Sequence, residues 1–236
     1  GGRVAAPPRA VWRALAVSAL GTVLGFPLLL ALALREVPAV HAAVITGVLP
    51  LATAVVAAWA GRQRASIGFW ICALLGCALV VGYAAWHDGG AGFARADALL
   101  LGAVAAGAIG YVAGARAAAV LPAPQVICWV LVGSLPLTLP AALATWPADG
   151  VAAVRPAAWA GFAYVAVFSM WLGFFAWYRA LALGGVLRIS QLQLLQPFLS
   201  LLFAAALLGE PLQASTLVFT LAVMAVVLVG RRARVG

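Results

Sequence analysis

Apolar runs of about 20 residues recur along the whole chain, each closed by a short cluster of turn-formers and charges. Eight can be marked, at about 12–33, 39–60, 66–86, 97–119, 125–146, 158–182, 187–208 and 213–230. The gaps hold Arg35-Glu36-Val37-Pro38, Gly61-Arg62-Gln63-Arg64, His87-Asp88-Gly89-Gly90, Leu121-Pro122-Ala123-Pro124, Pro147-Ala148-Asp149-Gly150, Gly184-Gly185 and Gly209-Glu210-Pro211. Runs of this length suit helices crossing a hydrocarbon core about 30 Å thick. They are continuous rather than alternating, and lipid demands a backbone that satisfies its own hydrogen bonds, so strands are excluded. The pattern predicts an all-α polytopic membrane protein with eight transmembrane helices.

The second half of the pattern repeats the first about 148 residues later. Leu24-Gly25-Phe26 returns as Leu172-Gly173-Phe174, Ala31-Leu32-Ala33-Leu34 as Ala180-Leu181-Ala182-Leu183, and Pro50 as Pro197. Ala/Leu-rich segments match easily by chance, so the ordered Gly and Pro landmarks carry the weight. One period spans five helices, and an odd number inverts the second copy relative to the first. Inverted-topology repeats are the architecture of secondary transporters. The predicted division is a first repeat of three helices over residues 1–88 and a second of five over 96–232. The unequal halves lead to the expectation that two helices precede Gly1, absent here.

Composition agrees with the pattern: 67% of the 236 residues are hydrophobic and 8% charged, against about a quarter charged in ordinary soluble domains. The 14 cations are all Arg; they sit in gaps and at the ends and build no basic face, so nucleic acid is not an expected partner. With both ends cytoplasmic, only Arg35, Arg95 and Arg155 of the 14 fall outside, which sets the expected orientation in a bacterial plasma (inner) membrane. Cys72, Cys77 and Cys128 are odd in number and lie inside apolar runs, which argues against a disulfide framework and a metal site.

Arg188-Ile189-Ser190-Gln191-Leu192-Gln193-Leu194-Leu195-Gln196-Pro197-Phe198, running on to Leu207-Leu208-Gly209-Glu210-Pro211-Leu212, resembles the ninth helix of EamA-type ten-helix transporters in the drug/metabolite transporter superfamily. Val48-Leu49-Pro50-Leu51 through Ala60-Gly61-Arg62 is similar to the fourth. The family often closes both helices with Gly-Glu, whereas the first copy here has Gly61-Arg62. The resemblance implies a permease that moves small metabolites or drugs by alternating access, in the efflux direction. It also implies a cavity built by the helices at 12–33, 39–60, 158–182 and 187–208.

The residues themselves show no catalytic constellation and no phosphate-binding loop, so no cofactor and no enzymatic activity are expected. Gln193, Gln196 and Ser200 follow 3- and 4-residue spacing and so share a helix face. Pro197 removes a backbone donor beside Gln196, and Pro50 does the same in the mirrored helix beside Thr46 and Thr53. Transporter sites lie near the midplane on interrupted helices, which makes these residues cavity candidates. The alternatives are interhelical hydrogen bonds for the amides and bonds back to their own helix for the threonines.

Gln191 is read as interface packing. Trp171, mid-span, is a candidate cavity wall or a packing residue, while Trp159, Trp177 and Tyr178 read as an interfacial aromatic belt. His41 is a candidate for proton coupling, with a hydrogen-bonded His near the outer interface as the plainer reading. Gly21/Gly25 and Gly110/Gly114 have the spacing of close helix contacts. The expected partners are a small-molecule solute, the bilayer, and a proton or counter-solute, with a monomer favoured. A non-transporting scaffold or a membrane-embedded enzyme are the competing classes.

Overall fold

The computed structural model describes residues 6–37, 42, 45–61, 66–88, 95–146, 154–196 and scattered positions of the C-terminal segment. Regular structure among them is entirely helical. In chain order the helices are α1 Arg9–Ala33, α2 Leu49–Gly61, α3 Ile67–Asp88, α4 Arg95–Ala118, α5 Ala123–Ala144, α6 Pro156–Gly184 and α7 Val186–Ser190, which runs on as a 3-10 turn over Gln191–Leu195. Helices α1, α4, α5 and α6 are long and apolar enough to cross a membrane. The segments expected at 39–60 and 187–208 are described only in part, and that at 213–230 lies outside the described residues apart from isolated positions.

Local chemistry sets the boundaries. Arg9–Val11 forms a 3-10 turn behind the extended Pro8, and the Trp12 Nε1–H donates to the Pro7 carbonyl at 3.1 Å. Ser66 caps α3 by accepting the Phe69 N–H at 3.3 Å. Helices α5 and α6 open behind the extended residues Pro122 and Arg155, each with proline in its first turn, where a missing N–H costs nothing. Between α6 and α7 the backbone turns through Gly185 at φ +77°, which only glycine adopts without strain. Outside the apolar spans, Arg95 and Glu36 meet at 3.6 Å, an exposed pair that contributes little.

Helix α4 is the centre of the bundle. Of its most apolar stretch 56% is buried, against 28% in α1, 22% in α5 and none in α6. It packs on α1, α2 and α6 at once, and its glycines and alanines are what permit this. In lipid, helix association rests on close van der Waals packing, for which small residues let backbones approach. A Cβ built on Gly21 of α1 would lie 2.4 Å from the Ala106 carbonyl oxygen and 2.7 Å from the Gly110 Cα. One built on Gly110 would lie 2.9 Å from the Thr22 backbone nitrogen. The small-residue spacing read from the sequence therefore marks the contact between α1 and α4.

Two helices depart from regular α geometry at corresponding places. In α1, Ala19–Gly25 forms a π turn that closes with the Phe26 N–H on the Gly21 carbonyl, five residues back. In α6, Val165–Leu172 forms another, closed by the Gly173 N–H on the Phe168 carbonyl. Glycine ends both. A Cβ on Gly25 would sit 2.9 Å from the Leu20 carbonyl oxygen, and one on Gly173 2.9 Å from that of Phe168. Gly25 and Gly173 are the glycines of the repeated Leu-Gly-Phe.

Candidate functional site

Helices α1, α4 and α6 are joined by a buried tyrosine. Gly114 leaves the space into which the Tyr178 ring fits, since a Cβ there would lie 2.3 Å from the ring. Tyr178 is 0% exposed, and its hydroxyl is 2.8 Å from the Ser18 Oγ. One turn along α1, Thr22 donates to the Ser18 carbonyl at 2.7 Å. This corrects the reading of Tyr178 as part of an interfacial belt. Its place near the end of a hydrophobic run suggested water, but the glycine facing it on another helix draws the ring inward.

Beside this post lies a second group with polar atoms left over. Tyr111 of α4 packs edge-on against Trp177 of α6, with ring centroids 5.6 Å apart, and tilts against Phe174 at 6.1 Å. The Tyr111 hydroxyl meets the Gln193 side chain, which arrives from the 3-10 turn after α7. Two atoms in this group are buried without a hydrogen-bonding partner, the Trp177 indole Nε1 and the Gln193 Oε1. One is a donor and the other an acceptor. An unpaired buried polar group costs about 1–3 kcal/mol, so such atoms are rarely left idle in a packed interior. Trp177 too is thus not a belt residue.

The glutamines separate in space. Gln191 is buried, and its Nε2 donates to the Pro50 carbonyl at 3.3 Å, tying the two proline-bearing segments together. That agrees with its reading as a packing residue. Gln193 is half-buried and Gln196 is exposed, so the two are not enclosed together. With three residues per turn in the 3-10 stretch, Gln191 and Leu194 eclipse each other on the inward face.

Near Pro50, itself buried, Thr53 donates to the Leu49 carbonyl at 2.8 Å and Thr46 to that of Ala42 at 2.7 Å. Both hydroxyls bond back to their own segment, as one of the two sequence readings held. Trp171 is 40% exposed, with its Nε1 3.5 Å from the Cys128 Sγ, a weak link between α6 and α5. Arg116 near the end of α4 donates to the Ala60 carbonyl, satisfying a free carbonyl in the last turn of α2. His41, Pro197 and Ser200 lie outside the described residues. Among the described residues no three His, Cys, Asp or Glu side chains gather as metal ligands.

Tyr111 and Trp177 were not singled out as site residues by sequence. The available signal was a lone aromatic hydroxyl within the Ala/Gly-rich stretch of α4, next to the Gly110/Gly114 contact.

The profile of the EamA-like transporter family matches residues 1–83 and 94–230. The chain is 44% identical over 218 residues to YdeK, an uncharacterized transporter of Bacillus subtilis (strain 168), covering 92% of this chain and 75% of that protein. A solved crystal structure superposes with a TM-score of 0.78 at 20% identity, over 98% of this chain and 80% of the other. That last likeness concerns the fold alone.

Proposed function

Because the chain belongs to the EamA-like transporter family, we propose that it is a secondary transporter that exports a small solute by alternating access. In this reading eight helices span the bacterial inner membrane with both ends cytoplasmic. Residues 1–88 and 96–232 form inverted repeats that rock against each other as a monomer. The observation that carries it is the pair of π turns. Each adjoins the same repeated Leu-Gly-Phe landmark, and each is closed by an N–H five residues beyond its carbonyl, with that landmark's glycine at or just past its end. Such turns mark places where a helix can change its winding, and they gather at functional sites. Two of them, on helices that both pack against α4, are suited to swing two halves about a central post. The bond from Gln191 to Pro50 couples the mirrored proline segments in the same way.

The test is flux. Protein reconstituted in liposomes is expected to give saturable, gradient-driven movement of at least one member of a panel of neutral, cationic and anionic metabolites. Flux no greater than in protein-free liposomes across that panel would overturn the reading. A His41→Gln variant whose flux keeps its dependence on the pH gradient would remove the proton-coupling role from His41.

A further inference from the structure

The group around Tyr111 points to the kind of solute carried, an inference that rests on the transport reading above. We propose that Trp177 and Gln193 form a recognition pair for a neutral solute that carries a hydrogen-bond acceptor and a donor on one planar group, such as a carboxamide or lactam. The buried Trp177 Nε1–H would donate to the solute's carbonyl, and the Gln193 Oε1 would accept its N–H; neither atom has a partner among the described residues. Tyr111 touches both residues, packed edge-on against the indole and meeting the glutamine.

Charge is excluded by what surrounds the pair. The rings are engaged with one another, Tyr111 edge-on against Trp177 and tilted against Phe174, and Phe174 tilted against Tyr178 at 5.2 Å, and no ring face is shown free to hold a cation among the described residues. The buried carboxylate of α4, Asp97, sits 14 residues before Tyr111, about 21 Å along the helix. The arginines nearest in sequence face elsewhere. Arg179 and Arg188 are exposed, and Arg116 is engaged with the Ala60 carbonyl. An ion would therefore lose its hydration with no counter-charge among the described residues to replace it, a far larger penalty than an amide faces when both its bonds are remade. A purely apolar solute would leave both protein atoms unpaired, which is how a polar site rejects a solute lacking the matching groups.

The experiment uses the full chain in lipid nanodiscs and three probes of one shape: benzamide, benzoate and benzamidinium, with toluene as the apolar control. Titration calorimetry is expected to detect benzamide and to find the other three at least about tenfold weaker. Gln193→Leu and Trp177→Phe should each weaken benzamide by about tenfold or more.

Equal affinity for the three isosteres, no benzamide binding to the unsubstituted protein, or benzamide affinity unchanged in both variants would overturn the proposal. If Gln193→Leu does not fold, the glutamine is structural and the proposal fails for it, while Trp177→Phe tests the donor alone. Solute flux that both substitutions leave unchanged would reject this site but keep the transporter. Selective benzamide binding by a protein that moves nothing would keep the site and reject transport.

Discussion

Gly21→Leu is expected to leave almost no correctly assembled protein. The added side chain begins with a Cβ 2.4 Å from the Ala106 carbonyl oxygen, and the next nearest atoms are the Gly110 Cα and N at 2.7 and 2.8 Å. All three belong to backbone, so no rotamer change relieves the contact; α1 would have to leave α4. Overpacking in a core that can still adjust costs about 1–3 kcal/mol, and a rigid backbone contact costs more. The loss spreads because Ser18, one turn before Gly21, holds the Tyr178 hydroxyl and through it α6. In detergent the variant should elute as aggregate, and Gly21→Ala should lower the unfolding temperature by roughly 5 °C or more. Gly133→Ala on α5, where a Cβ meets nothing within 4 Å among the described residues, is the matched control and should be neutral or slightly stabilising. Equal tolerance of Gly21→Ala and Gly133→Ala would mean that α1 and α4 do not meet at these glycines.

Gly173→Ala should spare the fold and stop the transporter. Among the described residues, the only atoms near its new methyl are those of the Phe168 peptide, with the oxygen at 2.9 Å, in the turn that the glycine itself closes. The methyl therefore acts on the winding of α6 and not on a neighbouring helix. A clash of about 1–3 kcal/mol that bears on one winding more than the other shifts their ratio by about 5–150-fold. Flux per molecule is expected to fall within that range while size-exclusion behaviour stays unchanged. Gly25→Ala should lose flux as well, but with some loss of stability, because its methyl also meets the Ala106 Cβ at 2.7 Å. Full flux in Gly173→Ala would separate the π turn from transport.

The apolar runs made most of the described helices legible. At the ends of α3, α5, α6 and α7 the residues that stop or start the helix are Ser66, Pro122, Pro156 and Gly185, whose effects are local and can be read one at a time. Gly110 and Gly114 announced a close contact because few other forces draw helices together in lipid. The π turns were not legible, since they depend on which carbonyl an N–H selects and leave the apolar period almost unchanged. The 3-10 turn at Gln191–Leu195 escaped for the same reason. Tyr178 and Trp177 were misplaced because depth along a helix is written in the sequence, but the facing residue on another helix is not. Tyr111, Trp177 and Gln193 come from three separate segments, and only the packing of α4 against its neighbours brings them together.

Alternating access is the core of the account, and it can be tested at one atom. Gln193→Cys, in a background where Cys72, Cys77 and Cys128 are replaced by Ala, places a thiol at the enclosed position beside Tyr111. Membrane-impermeant thiol reagents applied to oriented vesicles would report which side reaches it. The account requires labelling from both sides, with transported solute protecting the thiol from each. Labelling from one side alone, at every gradient and solute concentration, would mark a fixed scaffold and contradict it.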